Sequence, residues 1–110
     1  MASFHLTIVS ANGKAFEGDI ESLVLPGVDG DFGILAGHTP LIAALRQGLA
    51  TVIRDGREQV FMVGEGYVDV AKNRASVMVG NALPVKDRDT GRDLLKQPHP
   101  WDAAAALLET

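Results

Sequence analysis

The chain has 110 residues, a formal net charge of −4 and no cysteine. At this length it is one domain with room for a small appendage, and folding buries about two thirds of the surface that the unfolded chain exposes. Disulfide staples and cysteine zinc sites are excluded, and lysines and arginines that never stand side by side argue against a nucleic-acid partner.

The opening residues, Met1 to His5, show neither the basic region nor the apolar run of a leader peptide. No apolar stretch reaches the roughly 20 residues needed to cross a bilayer. A soluble chain is expected, meeting a membrane only through a partner. Phe4, Leu6 and Ile8 alternate with His5, Thr7 and Val9, the period of a strand, and Asn12-Gly13 then predicts a hairpin turn. A second strand is expected over Gly18–Leu25, ended by Pro26-Gly27.

Pro40–Gln47 fits either a helical turn capped by Gly48 or a strand, and the strand is preferred. Further strands are expected at Leu49–Arg54, Glu58–Val63, Tyr67–Ala71 and Ala75–Val79. Asp55-Gly56, Gly64-Glu65-Gly66 and Lys72-Asn73-Arg74 mark the turns between them. Short strands at near-regular spacing predict a mainly β chain folded as an antiparallel β-sandwich.

The pattern changes at Pro84, where β-branched alternation gives way to charge, proline and then alanine. The division expected is a sandwich domain over residues 1–83 and a short tail over 84–110, weakly helical or partly disordered. Thr90–Gln97 would form one short helix, stopped by Pro98 and Pro100. Asp102 would cap a second over Ala103–Glu109. Helices this short hold only when docked, and Trp101 is a candidate anchor for the tail, onto the sandwich or onto a partner.

The search for chemistry returns no catalytic constellation. Asp31-Phe32-Gly33 matches the kinase magnesium tripeptide, but the chain lacks the rest of that set. A calcium loop opening at Asp29 would need Gly and Glu where Ile34 and Pro40 stand. His5, His38 and His99 are too scattered for a metal site by spacing. Gly64-Glu65-Gly66 starts a dinucleotide fingerprint that Asp69 then breaks. No cofactor, metal or bound nucleotide is expected.

Gly30-Asp31-Phe32-Gly33-Ile34-Leu35-Ala36-Gly37-His38-Thr39-Pro40-Leu41 is more specific. It resembles the G-[ED]-x-G-[IV]-x-x-G-H-x-P-L segment of the epsilon subunit of F-type ATP synthases. Leu6–Ser10, Phe16-Glu17-Gly18, Leu23–Gly27, Gln47-Gly48, Gly64–Val70 and Val77–Ala82 resemble other family segments in the same order. The likeness covers about residues 3–82.

The resemblance implies a non-catalytic rotor subunit of the central stalk. It would couple the gamma subunit to the membrane c-ring in a proton- or sodium-driven synthase. It would lie peripherally on the cytoplasmic face of a bacterial inner membrane. Asp29, Gly30 and Asp31 are then expected to face the c-ring, and Ser10, His38 and Thr39 to face gamma. Gly33, Gly37 and Pro40 would shape the loop as turn residues; His38 taken alone reads as a hydrogen-bonded structural residue.

The tail departs from the family, whose members usually carry a C-terminal helical hairpin. With Gly91, Pro98 and Pro100 inside it, the tail cannot supply two helices of about 12–15 residues. The D-x-x-R-A pattern that contacts ATP in some members is also missing, Asp87-Arg88-Asp89 standing near its place. Extensible-hairpin inhibition and nucleotide binding are therefore not expected. The alternatives are a shortened epsilon-like paralogue regulating or assembling the same complex, and an unrelated β-sandwich binding module or small enzyme.

Overall fold

The computed structural model describes residues 2–108. Ten strands follow in order: β1 (Phe4–Ser10), β2 (Gly13–Ile20), β3 (Ser22–Gly27), β4 (Gly30–Leu35), β5 (Leu41–Leu45), β6 (Gly48–Arg54), β7 (Arg57–Val63), β8 (Gly66–Ala71), β9 (Arg74–Val79) and β10 (Ala82–Val85). Two helices close the chain, α1 (Arg88–Leu95) and α2 (Pro100–Leu108). The strands pair in the order β10-β7-β6-β3-β5-β8-β9-β1-β2, with β4 beside β3.

β3 and β5 share one pair, Gly27 with Leu45, and there the sheet folds over into two layers. One layer holds β10, β7, β6, β3 and β4, and the other β5, β8, β9, β1 and β2. Every pairing is antiparallel except β1 with β9. The alternating strands turn Leu23, Leu25, Ala50, Val52, Phe61 and Val63 inward from one layer. From the other come Phe4, Leu6, Ile8, Val68, Val70 and Val77, closing one dry core. The expected mainly β sandwich is the fold found.

The expected strand Gly18–Leu25 is in fact two strands, because the chain changes layers at Glu21. Glu21 itself is held on the far layer by its N–H to Ile53 O (2.8 Å). Pro26 and Gly27 finish β3, and the turn comes after them at Val28-Asp29. Gly27 is required there by close approach: a Cβ would lie 2.7 Å from Gly30 O and 2.9 Å from the Phe32 ring.

The segment expected as a glycine-rich loop is half strand. Gly30–Leu35 pairs with β3 along its whole length, so Gly33 sits mid-strand opposite Val24 and is not a turn residue. Gly37, at φ 77°, does turn the chain, and Pro40 leads directly into β5, a strand as preferred.

The tail begins inside the sheet, since β10 extends β7 across the expected boundary at residue 83. α1 starts earlier than Thr90 because Asp87 caps it, its Oδ1 accepting from Thr90 N at 2.7 Å. Asp102 is not a cap. α2 opens at Pro100, whose fixed φ suits a first helical position, and this leaves Asp102 in the first turn. The last expected helical residue, Glu109, lies outside the described residues.

Both helices dock. Met62, Leu94 and Ala104 form a second core with Leu49, Leu83, Val85, Trp101 and Ala103 around it, on the outer face of β6 and β7. Trp101 anchors the tail to the sandwich, its Nε1 donating to Gln47 Oε1 at 2.9 Å. Gly91 is where α1 approaches β6, a Cβ there lying 2.6 Å from Leu49 Cδ2.

Candidate contact faces

The outer face of the β5-β8-β9-β1 layer has no helix on it. Register places Ala44 beside Tyr67, Tyr67 beside Met78 and Met78 beside Val9, one row across four strands. The next row runs Ile42, Asp69, Ser76, Thr7. Tyr67 is 59%, Met78 50% and Ile42 73% exposed, with Val9 of the same row partly exposed; among the described large apolar strand residues only Leu35, at the end of β4, is exposed elsewhere. Val28, also exposed, continues the first row, its N–H bonding Ala44 O at 3.1 Å. A cleft of about 450 Å3 opens at this end, lined by Val28, Arg46, Glu65 and Tyr67 among others.

The residues expected to contact partners lie around the rim of this face. Asp29, Gly30 and Asp31 occupy the β3–β4 turn and the start of β4. Asp31 is already engaged: its Oδ1 accepts from Arg46 Nη2 at 2.7 Å, in a half-exposed pair. Arg46 is itself fixed to the hairpin by its N–H to Pro26 O (2.9 Å). Such a pair contributes about 0–1 kcal/mol, so either member can be drawn to another ion at small cost.

Ser10 and His38 do not come together. β1, β9 and β5 run in the same direction, so Ser10 ends its strand at the Leu45 side while His38 precedes β5 at the opposite side. Ser10 serves the β1–β2 turn, its Oγ accepting from Asn12 N (3.2 Å) and donating to Gly13 O (3.3 Å). His38 Nδ1 donates to Thr39 O at 2.7 Å, which stiffens the segment before Pro40. A partner touching both ends must cross the two rows between them.

Two structural residues were not legible as such. Asn73, at φ 60°, accepts from Gly37 N and donates to Ser3 O, both at 2.9 Å. It ties the His38 loop to the β8–β9 turn and the chain's start. Lys72-Asn73-Arg74 is readable as a turn, but its reach across 36 residues to Gly37 and 70 to Ser3 depends on tertiary register. Arg46 carries no sequence signal beyond its charge.

His5 sits at the edge of the bare layer between two carboxylates, Nδ1 to Asp19 Oδ1 and Nε2 to Glu17 Oε2, each 3.0 Å. Asp19 first, then Glu17, raises the His5 pKa above its ordinary value. Lys14, then His5, holds Glu17 below the usual carboxylate range. The N–H of Thr90 does the same for Asp87.

Among the described residues no group of three or more His, Asp or Glu side chains is arranged to hold a metal ion, and no helix is long and apolar enough to cross a membrane. A cleft of about 550 Å3 between β10, α1 and α2 is lined by Pro84, Val85, Thr90 and Leu94 with Lys86 as its ionisable residue. It gathers no converging titratable groups.

Fold and faces together define a class: a two-layer β-sandwich whose tail covers one outer face and leaves the other, apolar and rimmed by charge, open. Residues 3–85 match the family model described as ATP synthase, Delta/Epsilon chain, beta-sandwich domain. The chain belongs to this family. It is 39% identical over 89 residues to the ATP synthase epsilon chain of Nitrobacter winogradskyi and 40% identical over 89 residues to that of Afipia carboxidovorans. Each match takes in 81% of this chain but 66% and 65% of the relatives, so the chain spans just under two thirds of their length. The fold is similar to a chain of the Euglena gracilis mitochondrial ATP synthase OSCP/F1/c-ring structure, with TM-score 0.73 and 20% identity over 99% of this chain and 64% of that one. It is also similar to a chain of the Tetrahymena thermophila mitochondrial ATP synthase central stalk/c-ring structure, with TM-score 0.62, 11% identity, and 72% and 64% covered.

Proposed function

We propose that this chain is a non-catalytic central-stalk subunit of an ion-driven ATP synthase, joining the gamma subunit to the membrane c-ring. Family membership supports the setting, and the carrying observation is the bare outer face with its row Ala44, Tyr67, Met78 and Val9. A row of exposed large apolar side chains bordered by polar ones is what a protein contact uses. In this reading gamma covers that face, reaching Ser10 at one end and His38 and Thr39 at the other. Asp29, Gly30 and Asp31 turn towards polar or basic groups of the c-ring loops. The subunit thus sits peripherally on the cytoplasmic side of a bacterial inner membrane.

No bond is made or broken by its residues. Torque passes through it because the pieces are stiff: a dry core, a hairpin clamped by Arg46, and a His38 loop held by Asn73. The apolar row gives gamma most of its affinity, and the charged rim adds orientation and on-rate. Co-purification with a cognate gamma subunit tests the reading. Association at micromolar concentration is expected from the wild type. Tyr67→Glu combined with Met78→Glu weakens it by roughly thirtyfold or more, as loss of central apolar anchors does. Absence of any association by the wild type overturns the reading.

A further inference from the structure

We infer that the cavity between α1 and the outer face of β3 and β6 is a binding site for a single phosphoryl-type oxyanion. The cavity has a volume of about 150 Å3 and is lined by Arg46, Arg88, Arg92, Thr51 and Asp31 over a floor that includes Val24 and Leu49. Three of the chain's ten cationic residues meet here, in a protein whose net charge is −4.

Their state points to a ligand. Arg88 Nε is buried with no hydrogen-bond partner among the described residues. A buried donor of a charged group left unpaired is costly, so such a group marks a place where an acceptor belongs. Arg92 lies one turn on along the same helix face and gives Nη1 to Asp89 at 3.2 Å. Arg46 gives Nη2 to Asp31 and Nη1 to Gln47 O at 3.4 Å. Each guanidinium carries five donors, so most remain available.

The donors approach from two sides, the β5–β6 connection and α1, and a carboxylate, whose acceptor positions lie in one plane, cannot serve both sides equally well. A tetrahedral oxyanion can, and charge-assisted bonds to guanidinium planes are the strong kind. The volume admits one phosphoryl group and leaves no room for a nucleoside. An oxyanion in the cavity competes with Asp31 for Arg46, so occupancy is linked to release of the Asp31 carboxylate at the rim. The site does not depend on the rotor reading, and free phosphate or the phosphate of a lipid headgroup would offer the same chemistry.

The test is a nitrogen-15 NMR titration of the full chain with inorganic phosphate, following the arginine Nε–H signals, against sodium chloride at matched ionic strength. Saturable movement of the Arg88 signal with phosphate and not chloride is expected. Arg88→Gln and Arg92→Gln should each weaken binding about tenfold, the loss of one charged hydrogen bond, while Lys14→Gln leaves it unchanged. Each variant's amide spectrum reports folding independently. Co-sedimentation with vesicles of phosphatidic acid in phosphatidylcholine, lost in Arg88→Gln, supports a headgroup as the source, and phosphate binding without co-sedimentation supports the free ion. Shifts that match those in chloride, or a folded Arg88→Gln that binds phosphate like the wild type, overturn the site.

Discussion

The two outer faces of this sandwich have opposite fates. On β6 and β7, Leu49 and Met62 are covered by the chain's own tail, with Leu94, Trp101 and Ala104 laid over them. On β5, β8 and β9, Ile42, Tyr67 and Met78 stay in solvent. Both faces carry large apolar side chains, so the difference is not one of composition. The tail secures the first face for the fold, and in the proposed function the second is the one a partner covers. Substitutions on the covered face should therefore cost stability, and those on the bare face should cost association.

The largest effect is expected on the covered side. Leu94→Ala removes the main buried contact of α1 and should lower unfolding free energy by about 2–4 kcal/mol in urea titration. A loss confined to a few tenths would mean that the tail is not part of the cooperative fold. Trp101→Phe keeps most of the packing but leaves Gln47 without its donor, and about 1 kcal/mol is expected. On the bare side, Met78→Glu should stay within about 0.5 kcal/mol of the wild type in the free chain, as surface changes do. A large loss there would show that the row is structural.

The smallest effect is a pH dependence at the edge of the bare layer. The folded His5 pKa is raised, so its contribution is complete below the unfolded value near 6.5 and is lost as pH rises through the folded value. Glu17 and Asp87 run the other way. Their folded values are lowered, so stability present above the unfolded carboxylate values is lost as pH falls through the folded ones. His5→Gln should flatten the stability profile above about pH 6.5 and reduce the acid limb without removing it, since Lys14 still lowers Glu17 and the Thr90 N–H still lowers Asp87. Thermal melts across that range check it, and an unchanged neutral limb counts against the His5 cluster.

Much of the fold was legible because local signals and tertiary needs agree. The alternation of Phe4 to Val9 predicts its strand, and Asp55-Gly56 turns where φ is positive at both residues, 53° and 74°. The errors fall where the chain serves two layers or two faces. Gly18–Leu25 reads as one strand because no local residue announces the crossing at Glu21. Val60 to Val63 is apolar at every position because both faces of β7 are covered, one by the core and one by the tail. Gly91 and Pro100 look like helix breakers, yet one lets α1 approach Leu49 and the other starts α2.

The candidate site was legible only as a segment. Gly30 to Pro40 points to the family, but not to the Asp31–Arg46 pair, the Asn73 clasp or the separation of Ser10 from His38. Those follow from which strands neighbour which, and β5 meets β8 across the twenty residues, 46–65, that lie between them. The row Ala44, Tyr67, Met78, Val9 joins four strands, so no window of sequence contains it.

Hydrogen exchange of the chain, free and bound to a gamma subunit, tests the contrast between the two faces most directly. The account predicts added protection in β5, β8 and β9 and around His38, with α1, α2 and the strands beneath them unchanged. Protection confined to the helices, with β8 and β9 exchanging as in the free chain, would contradict it.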